Sequence, residues 1–199
     1  SRTAQWAERA ADPGWETVSA SDLPMGEFAP PRAMTDEQVA VLPGLFAACA
    51  RRAVVAGYRL VELHGAHGYL LHQFLSPVSN RRNDRWGGDF EGRIRLTMEV
   101  VRAVRQAVPE DMPLALRVSH TDWIEGGWST AETVELARRV KAAGVDLMDV
   151  SSGGIEPTRQ KIPIGPGYQV PGAAAVRDGA GMAVAAVGLI TEPEQAQAI

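Results

Sequence analysis

Apolar residues recur along this chain in short blocks whose spacing alternates between two periods, and the blocks predict an ordered series of elements. Residues 58–63, Tyr-Arg-Leu-Val-Glu-Leu, are rich in strand formers and stop at His64-Gly65. Between 91 and 108, Ile94, Met98, Val101, Val104 and Val108 stand at helical spacing. Pro109 and Pro113 bracket a turn, and Leu114 to Val118 reads as a second strand. Ser129-Thr130-Ala131-Glu132 has capping-box spacing and opens a helix carrying Val134, Leu136, Ala137 and Val140, which Gly144 is placed to end. A third strand spans Val145 to Val150, and a Gly/Pro-rich loop runs to about Gly172. A short helix around Ala173 to Arg177 precedes a fourth strand, Met182 to Leu189, and Thr191-Glu192-Pro193-Glu194 caps one more helix. Upstream, Thr35-Asp36-Glu37-Gln38 has capping-box spacing. Pro43-Gly44 lies inside the helix it opens, and a proline there predicts a kink or break. Residues 76–88 form a polar loop. Residues 1–34, with Pro13, Gly14, Pro24, Gly26, Pro30 and Pro31, show no sustained period and read as an irregular connecting segment, leaving 35–199 as the domain.

Strands that alternate with helices in this way predict a parallel sheet with right-handed crossovers. Irregular loops gather after strand ends near 63, 118, 150 and 189, the face that carries the chemistry in a (β/α)8 TIM barrel. A doubly wound sheet is the rival, but no G-x-G-x-x-G turn follows any strand. A whole barrel needs eight strands and about 250 residues. Only four strands are read here, so the expectation is an α/β chain forming an incomplete barrel.

Composition narrows the partners. With 199 residues, 45% hydrophobic and 22% charged, the chain has a globular profile. Net charge is −4 with no dense Lys/Arg run, so no nucleic-acid partner is expected. No stretch approaches the roughly 18 apolar residues of a membrane span, and no membrane partner is expected. The single Cys49 allows neither an internal disulfide nor a Cys-rich metal site, which suits a reducing, cytoplasmic setting. Standing among Leu45, Phe46 and Ala53, it reads as a small buried core residue. The chain opens Ser1-Arg2-Thr3, without a basic-then-apolar leader.

The most informative stretch is Glu62-Leu63-His64-Gly65-Ala66-His67-Gly68-Tyr69. Two histidines three apart, just past a strand, can aim both imidazoles at one small acceptor or at a metal, and Gly65 and Gly68 let the backbone turn sharply. No third ligand cluster completes a metal site, so none is expected. A structural pair is the plain alternative. His72 is expected to face a neighbouring helix. In Leu114 to Val118 the alternation puts Leu114, Leu116 and Val118 on one face and Ala115 and Arg117 on the other, sending Arg117 into the barrel interior. A buried guanidinium needs an anion. Asp149 or Glu62 would serve, and so would a negatively charged cofactor.

Together, HGAHGYLLHQFLSPVSNRRNDRWGG, LALRVSHTDWIEGG, DLMDVSSGG, IGPGYQVPGA and AVGLIT, in this order from about residue 35 onward, resemble the flavin-dependent Old Yellow Enzyme family. The SHTDWIEGG stretch is most similar to its bacterial NADPH dehydrogenase and thermophilic-like ene-reductase branch. The resemblance implies FMN as cofactor and NADPH, or NADH, as reductant. It implies that His64 and His67 hydrogen-bond the oxygen of an enone, phenol or nitro ligand, that Gly65 and Ala66 complete that substrate-binding turn, and that Tyr69 donates the proton. Arg117 would lie at the flavin ring edge and Gly188 near its phosphate. It also implies a homo-oligomer for the complete protein. The family's opening three strands and its final Gly-Arg phosphate strand have no counterpart here, so the 199 residues alone are expected to be inactive. Gly92 replaces a usual Asn, and His120 a usual small residue. Two alternatives stand beside the ene-reductase reading. One is the related dienoyl-CoA reductase and amine dehydrogenase branch, marked by an iron–sulfur cluster. The other is a non-catalytic half-barrel acting only through association.

Overall fold

Local sequence rules account for most of the helix boundaries. The structure is a computed structural model describing residues 16–199. Helix α1 (Asp36–Ala40) starts at Thr35, whose hydroxyl accepts from the Gln38 amide while the Gln38 side chain accepts from the Thr35 amide. The predicted break falls at Val41, and α2 (Leu42–Val55) begins with Pro43 in its first turn, where the missing N–H costs nothing. Strand β3 (Val61–Gly65) is followed by α3 (Leu70–Leu75), a six-residue helix too short to show a period in the sequence. Helix α4 (Phe90–Ala107) is capped by Asp89, which accepts from the Gly92 amide. A Cβ on Gly92 would meet the Gly87 carbonyl, so the preceding loop packs directly on this first turn, where a larger residue has no room. Strand β4 (Leu114–Ser119) leads to α5 (Thr130–Ala142), opened by the reciprocal Ser129–Glu132 capping box. The chain continues through β5 (Leu147–Ser151), α6 (Val170–Ala180), β6 (Ala183–Ala186) and α7 (Pro193–Ala198). Helix α6 is longer at both ends than its sequence pattern predicts. The cap expected at Thr191 is not made: Glu192 is the N-cap, without a side-chain bond.

Within the segment read as irregular, β1 (Val18–Ser19) and β2 (Arg32–Ala33) pair in parallel. Two-residue strands leave no periodic trace. Residues 1–15 of that segment lie outside the described residues.

The main sheet has the order β3-β4-β5-β6, all parallel. Its helix-covered face is apolar: Leu63, Leu114, Leu116, Val118, Met148 and Val150 are buried with Ile94, Val101, Leu136 and Val140 of the helices. Each such side chain contributes about 1.5–3 kcal/mol. The opposite face is set by register. Glu62, Ala115, Leu147 and Ala183 form one row, His64, Arg117, Asp149 and Ala185 the next, and Ser119 pairs with Ser151 above them. Rows of inward side chains from successive parallel strands are the interior of a (β/α)8 barrel, of which these four strands are a contiguous part. Among the described residues, the outer edges of β3 and β6 have no strand partner.

One expectation about α2 fails. Cys49 is exposed, on the outward side of the helix with Leu45, and the Arg52 guanidinium donates to its sulfur. The buried side of α2 is taken by Leu42, Ala47 and Ala50 instead. Residues 36–55 also reach the mean hydropathy of a membrane span, 1.3. The break at Val41 leaves α2 with 14 residues, short of the roughly 20 a span requires.

Candidate active site

The loop that leaves β3 turns back sharply. Its amides and side chains are held from three directions. His67 and Gly68 both have positive φ, 58° and 76°. The His67 amide donates to Ser119 Oγ at 3.0 Å, and Ser119 in turn donates to the Gly153 carbonyl at 2.8 Å. The Gly68 amide donates to His72 Nδ1 at 3.0 Å, and Gln73 donates to the Gly68 carbonyl at 2.9 Å. From above, the loop after β5 makes backbone contact. A Cβ on Gly68 would stand 2.3 Å from the Gly154 oxygen, and one on Gly154 would stand 2.5 Å from His67 Cα.

This turn gathers three aromatic rings at the sheet's C-terminal rim. The His64 ring centroid lies 5.3 Å from that of His67 and 5.2 Å from that of Tyr69. Tyr69 is 62% exposed and His64 is exposed, while His67 is half-buried. Gly65 and Ala66 are buried beneath them, and a Cβ on Gly65 would come 3.0 Å from the Arg117 carbonyl. Burial, then the Arg117 charge, lowers the pKa of both imidazoles, and His67 reaches about 4. Both rings are therefore neutral donors near neutral pH, not cations. His67 Nε2 lies 2.7 Å from Ser151 Oγ.

Arg117 sits in register with His64 on one side and Asp149 on the other. Its Nε is 3.3 Å from Asp149 Oδ2, yet the alignment makes no hydrogen bond, and both Arg117 Nε and Asp149 Oδ1 are buried without partners among the described residues. The anion offered by the fold is thus present, and the hydrogen-bonding capacity of the guanidinium is not used by it. Glu62, one row lower, has its pKa raised by burial and by Asp149. Gly188 lies beyond β6, three strands from the rings, with φ 113° and its carbonyl accepting from the Gly167 amide. Among the described residues it approaches the site through Gln169: a Cβ on Gly188 would stand 3.0 Å from Gln169 Nε2, and Gln169 accepts from Ser151 and Ser152.

Several site residues were not read from the sequence. Ser119 and Ser151 follow Arg117 and Asp149 by two positions, so strand alternation alone puts them on the same face. His72 does not simply face a helix, as expected: it is fully buried and bonded at both nitrogens, to Gly68 and to Asp122. His120 fits where a small residue is usual because its ring lies over Gly172, where any Cβ would stand 2.4 Å from it. Its Nδ1 bonds Thr130 Oγ1 at 2.9 Å, and burial drives its pKa to about 4. Among the described residues there is no cluster of His, Cys, Asp and Glu that could hold a metal ion.

The imidazoles of His67 and His120 set an acid limit on stability. Unfolded, each titrates near 6.5; folded, each titrates near 4. Between those values the unfolded chain binds protons that the folded chain refuses, so stability is full above about pH 6.5 and falls as pH drops. The slope approaches about 1.4 kcal/mol per pH unit for His120 and less for the half-exposed His67. Thermal melts of a His120→Gln variant should show a flatter decline between about pH 6.5 and 5. A slope equal to wild type would remove His120 from this account.

Known proteins are similar to this chain in sequence and in fold. The profile of the NADH:flavin oxidoreductase / NADH oxidase family matches residues 3–199. An NADPH dehydrogenase of Listeria innocua is 43% identical over 192 residues, covering 96% of this chain and 55% of its own. The structure superposes on a 2-naphthoyl-CoA reductase with a TM-score of 0.80 and 27% identity, over 93% of this chain and 31% of that one. Morphinone reductase gives 0.75 and 25%, over 94% and 53%. The chain spans about half the length of the curated relatives it matches.

Proposed function

Because the chain belongs to the NADH:flavin oxidoreductase / NADH oxidase family, the Old Yellow Enzyme family, we propose that it carries the substrate-binding half of an FMN-dependent ene-reductase. NADPH or NADH would be the reductant, and enones or nitro compounds the substrates. The observation that carries this reading is the cluster of His64, His67 and Tyr69 on the same rim as an arginine whose hydrogen-bonding capacity is free.

FMN is the cofactor of the family, and when bound it supplies the hydride. The residues present fit it. A guanidinium with unspent donors suits the acceptor-rich edge of a flavin ring, and Arg117 would hold that edge while backbone at Gly188 approaches the phosphate. His64 and His67 bind and polarise the activating oxygen of the substrate. As neutral donors in a half-buried site they stabilise negative charge developing on that oxygen without giving up a proton. The Tyr69 hydroxyl, beside His64, supplies the proton to the substrate α-carbon. A second reading, reduction of an acyl-CoA ester, is favoured by the likeness to 2-naphthoyl-CoA reductase. Iron and acid-labile sulfide in the complete protein containing this chain would mark that branch, since the single Cys49 cannot hold a cluster by itself.

In the complete, flavin-loaded protein containing this segment, His64→Ala and His67→Ala should each weaken phenol binding about tenfold or more while FMN stays bound, since a lost hydrogen bond to a charge-bearing oxygen is worth about 1.5–3 kcal/mol. Tyr69→Phe should slow flavin reoxidation by an enone more than flavin reduction by NADPH. Titration of the flavin absorbance with phenol and stopped-flow of the two half-reactions separate these effects. Unchanged phenol affinity in both histidine variants, or equal slowing of both half-reactions, would refute the assignment.

A further inference from the structure

We propose that His72 is a positioning residue for the ring cluster, acting through the Gly68 amide, with Asp122 fixing its tautomer; this rests on reading His64, His67 and Tyr69 as the ligand-binding rings. His72 is fully buried on α3. Its Nδ1 accepts from Gly68, so the ring hydrogen resides on Nε2, which donates to Asp122 Oδ1 at 2.9 Å. Asp122 is also fully buried, and its other oxygen accepts from Ser76 Oγ at 2.6 Å and the Trp128 amide at 2.7 Å. The carboxylate is thus held by three donors, and the imidazole by one donor and one acceptor. Both nitrogens being spent, His72 has no free edge for proton transfer. Its work is structural and local.

What it holds is a costly turn. His67 is a non-glycine residue at φ 58°, followed by Gly68 at φ 76°, and consecutive left-handed residues persist only where their surroundings over-determine them. Gln73 fixes the Gly68 carbonyl and Ser119 the His67 amide. His72 is the acceptor for the remaining Gly68 N–H. Without it, that buried donor has no partner, and the turn that brings His67 and Tyr69 to His64 relaxes.

Two variants of equal shape separate acceptor from packing. His72→Asn puts an amide oxygen where Nδ1 stands; His72→Leu does not. In the complete, flavin-loaded protein containing this chain, His72→Leu should keep its FMN, lose about tenfold or more in phenol affinity, and exchange the Gly68 amide correspondingly faster. His72→Asn should stay within about threefold of wild type on both measures. Wild-type phenol affinity in His72→Leu, or an Asn variant as deficient as Leu, would overturn the proposal. If neither variant folds, nitrogen NMR of wild-type His72 decides it: an Nε2–H tautomer supports the proposal, and an Nδ1–H or doubly protonated ring refutes it. If the complete wild-type protein containing this chain takes up no FMN or phenol, the proposed function fails instead, and Gly68 exchange with the His72 tautomer still judges the positioning role.

Discussion

Purified as its 199 residues alone, this chain should be colourless and should not oxidise NADPH. Four parallel strands cannot satisfy the tilt and shear of an eight-stranded barrel, and the outer edges of β3 and β6 present unpaired backbone among the described residues. Glu62 and His64, on the edge strand β3, are exposed, while Ala115 and Asp149 on the same inward face are buried. For FMN the 199 residues would offer Arg117 and the Gly188 backbone, without the Gly-Arg phosphate strand that the resemblance implies. Each charge-assisted hydrogen bond to a phosphate contributes about 1.5–3 kcal/mol, so losing two weakens FMN binding by about two to four orders of magnitude. Self-association should accompany the missing colour, because α2 leaves Val41, Leu45 and Val55 at 57%, 59% and 89% exposure. A visible spectrum with light scattering checks both points. A monodisperse yellow monomer would show that the four strands suffice.

The second large effect is expected from one methyl group. Gly154→Ala places a Cβ 2.5 Å from His67 Cα and 2.8 Å from its carbonyl carbon, at φ 93°. Both obstacles are backbone, so no side chain can swing away. The left-handed conformation itself costs about 1–2 kcal/mol for a residue with a Cβ. Relieving the clash requires the loop after β5 to lift off the histidine turn. In flavin-loaded protein, phenol affinity should fall about a hundredfold, with stability reduced by about 2–4 kcal/mol and FMN retained. Gly126→Ala is the control: φ is 71°, and nothing lies within 4 Å of the added carbon. It should lose only the conformational cost and leave phenol binding intact. Equal phenol affinity in both variants would mean the loop contact does not position His67.

How much of this was legible in the chain depended on range. Period-2 alternation placed Arg117 opposite Leu116, and capping boxes at Thr35 and Ser129 marked helix starts within a residue, because those signals act over three or four positions. The HGAHGY turn was legible as a place where two rings converge. What holds it was not. His72 to Asp122 spans 50 residues and His67 to Ser151 spans 84, and no local pattern encodes which distant partner a buried polar group meets. Cys49 shares the outward side of α2 with Leu45, while Phe46 between them packs against the core: hydrophobic composition does not say which side of a helix is covered. α3 and the β1–β2 pairing were too short to carry a period at all.

The rows on the inner face have a consequence for how such a site can be altered. One strand residue advances about 3.3 Å, so successive inward side chains climb in steps of about 6.6 Å. Each strand therefore presents its inward side chains in steps from floor to lip: Glu62 then His64 on β3, Ala115, Arg117 then Ser119 on β4, and Leu147, Asp149 then Ser151 on β5, with neighbouring strands offset by the tilt of the sheet. A mutational library aimed at the lip can thus explore ligand shape without touching the guanidinium below, and one aimed at the floor can retune the field beneath Arg117 while leaving the entrance unchanged.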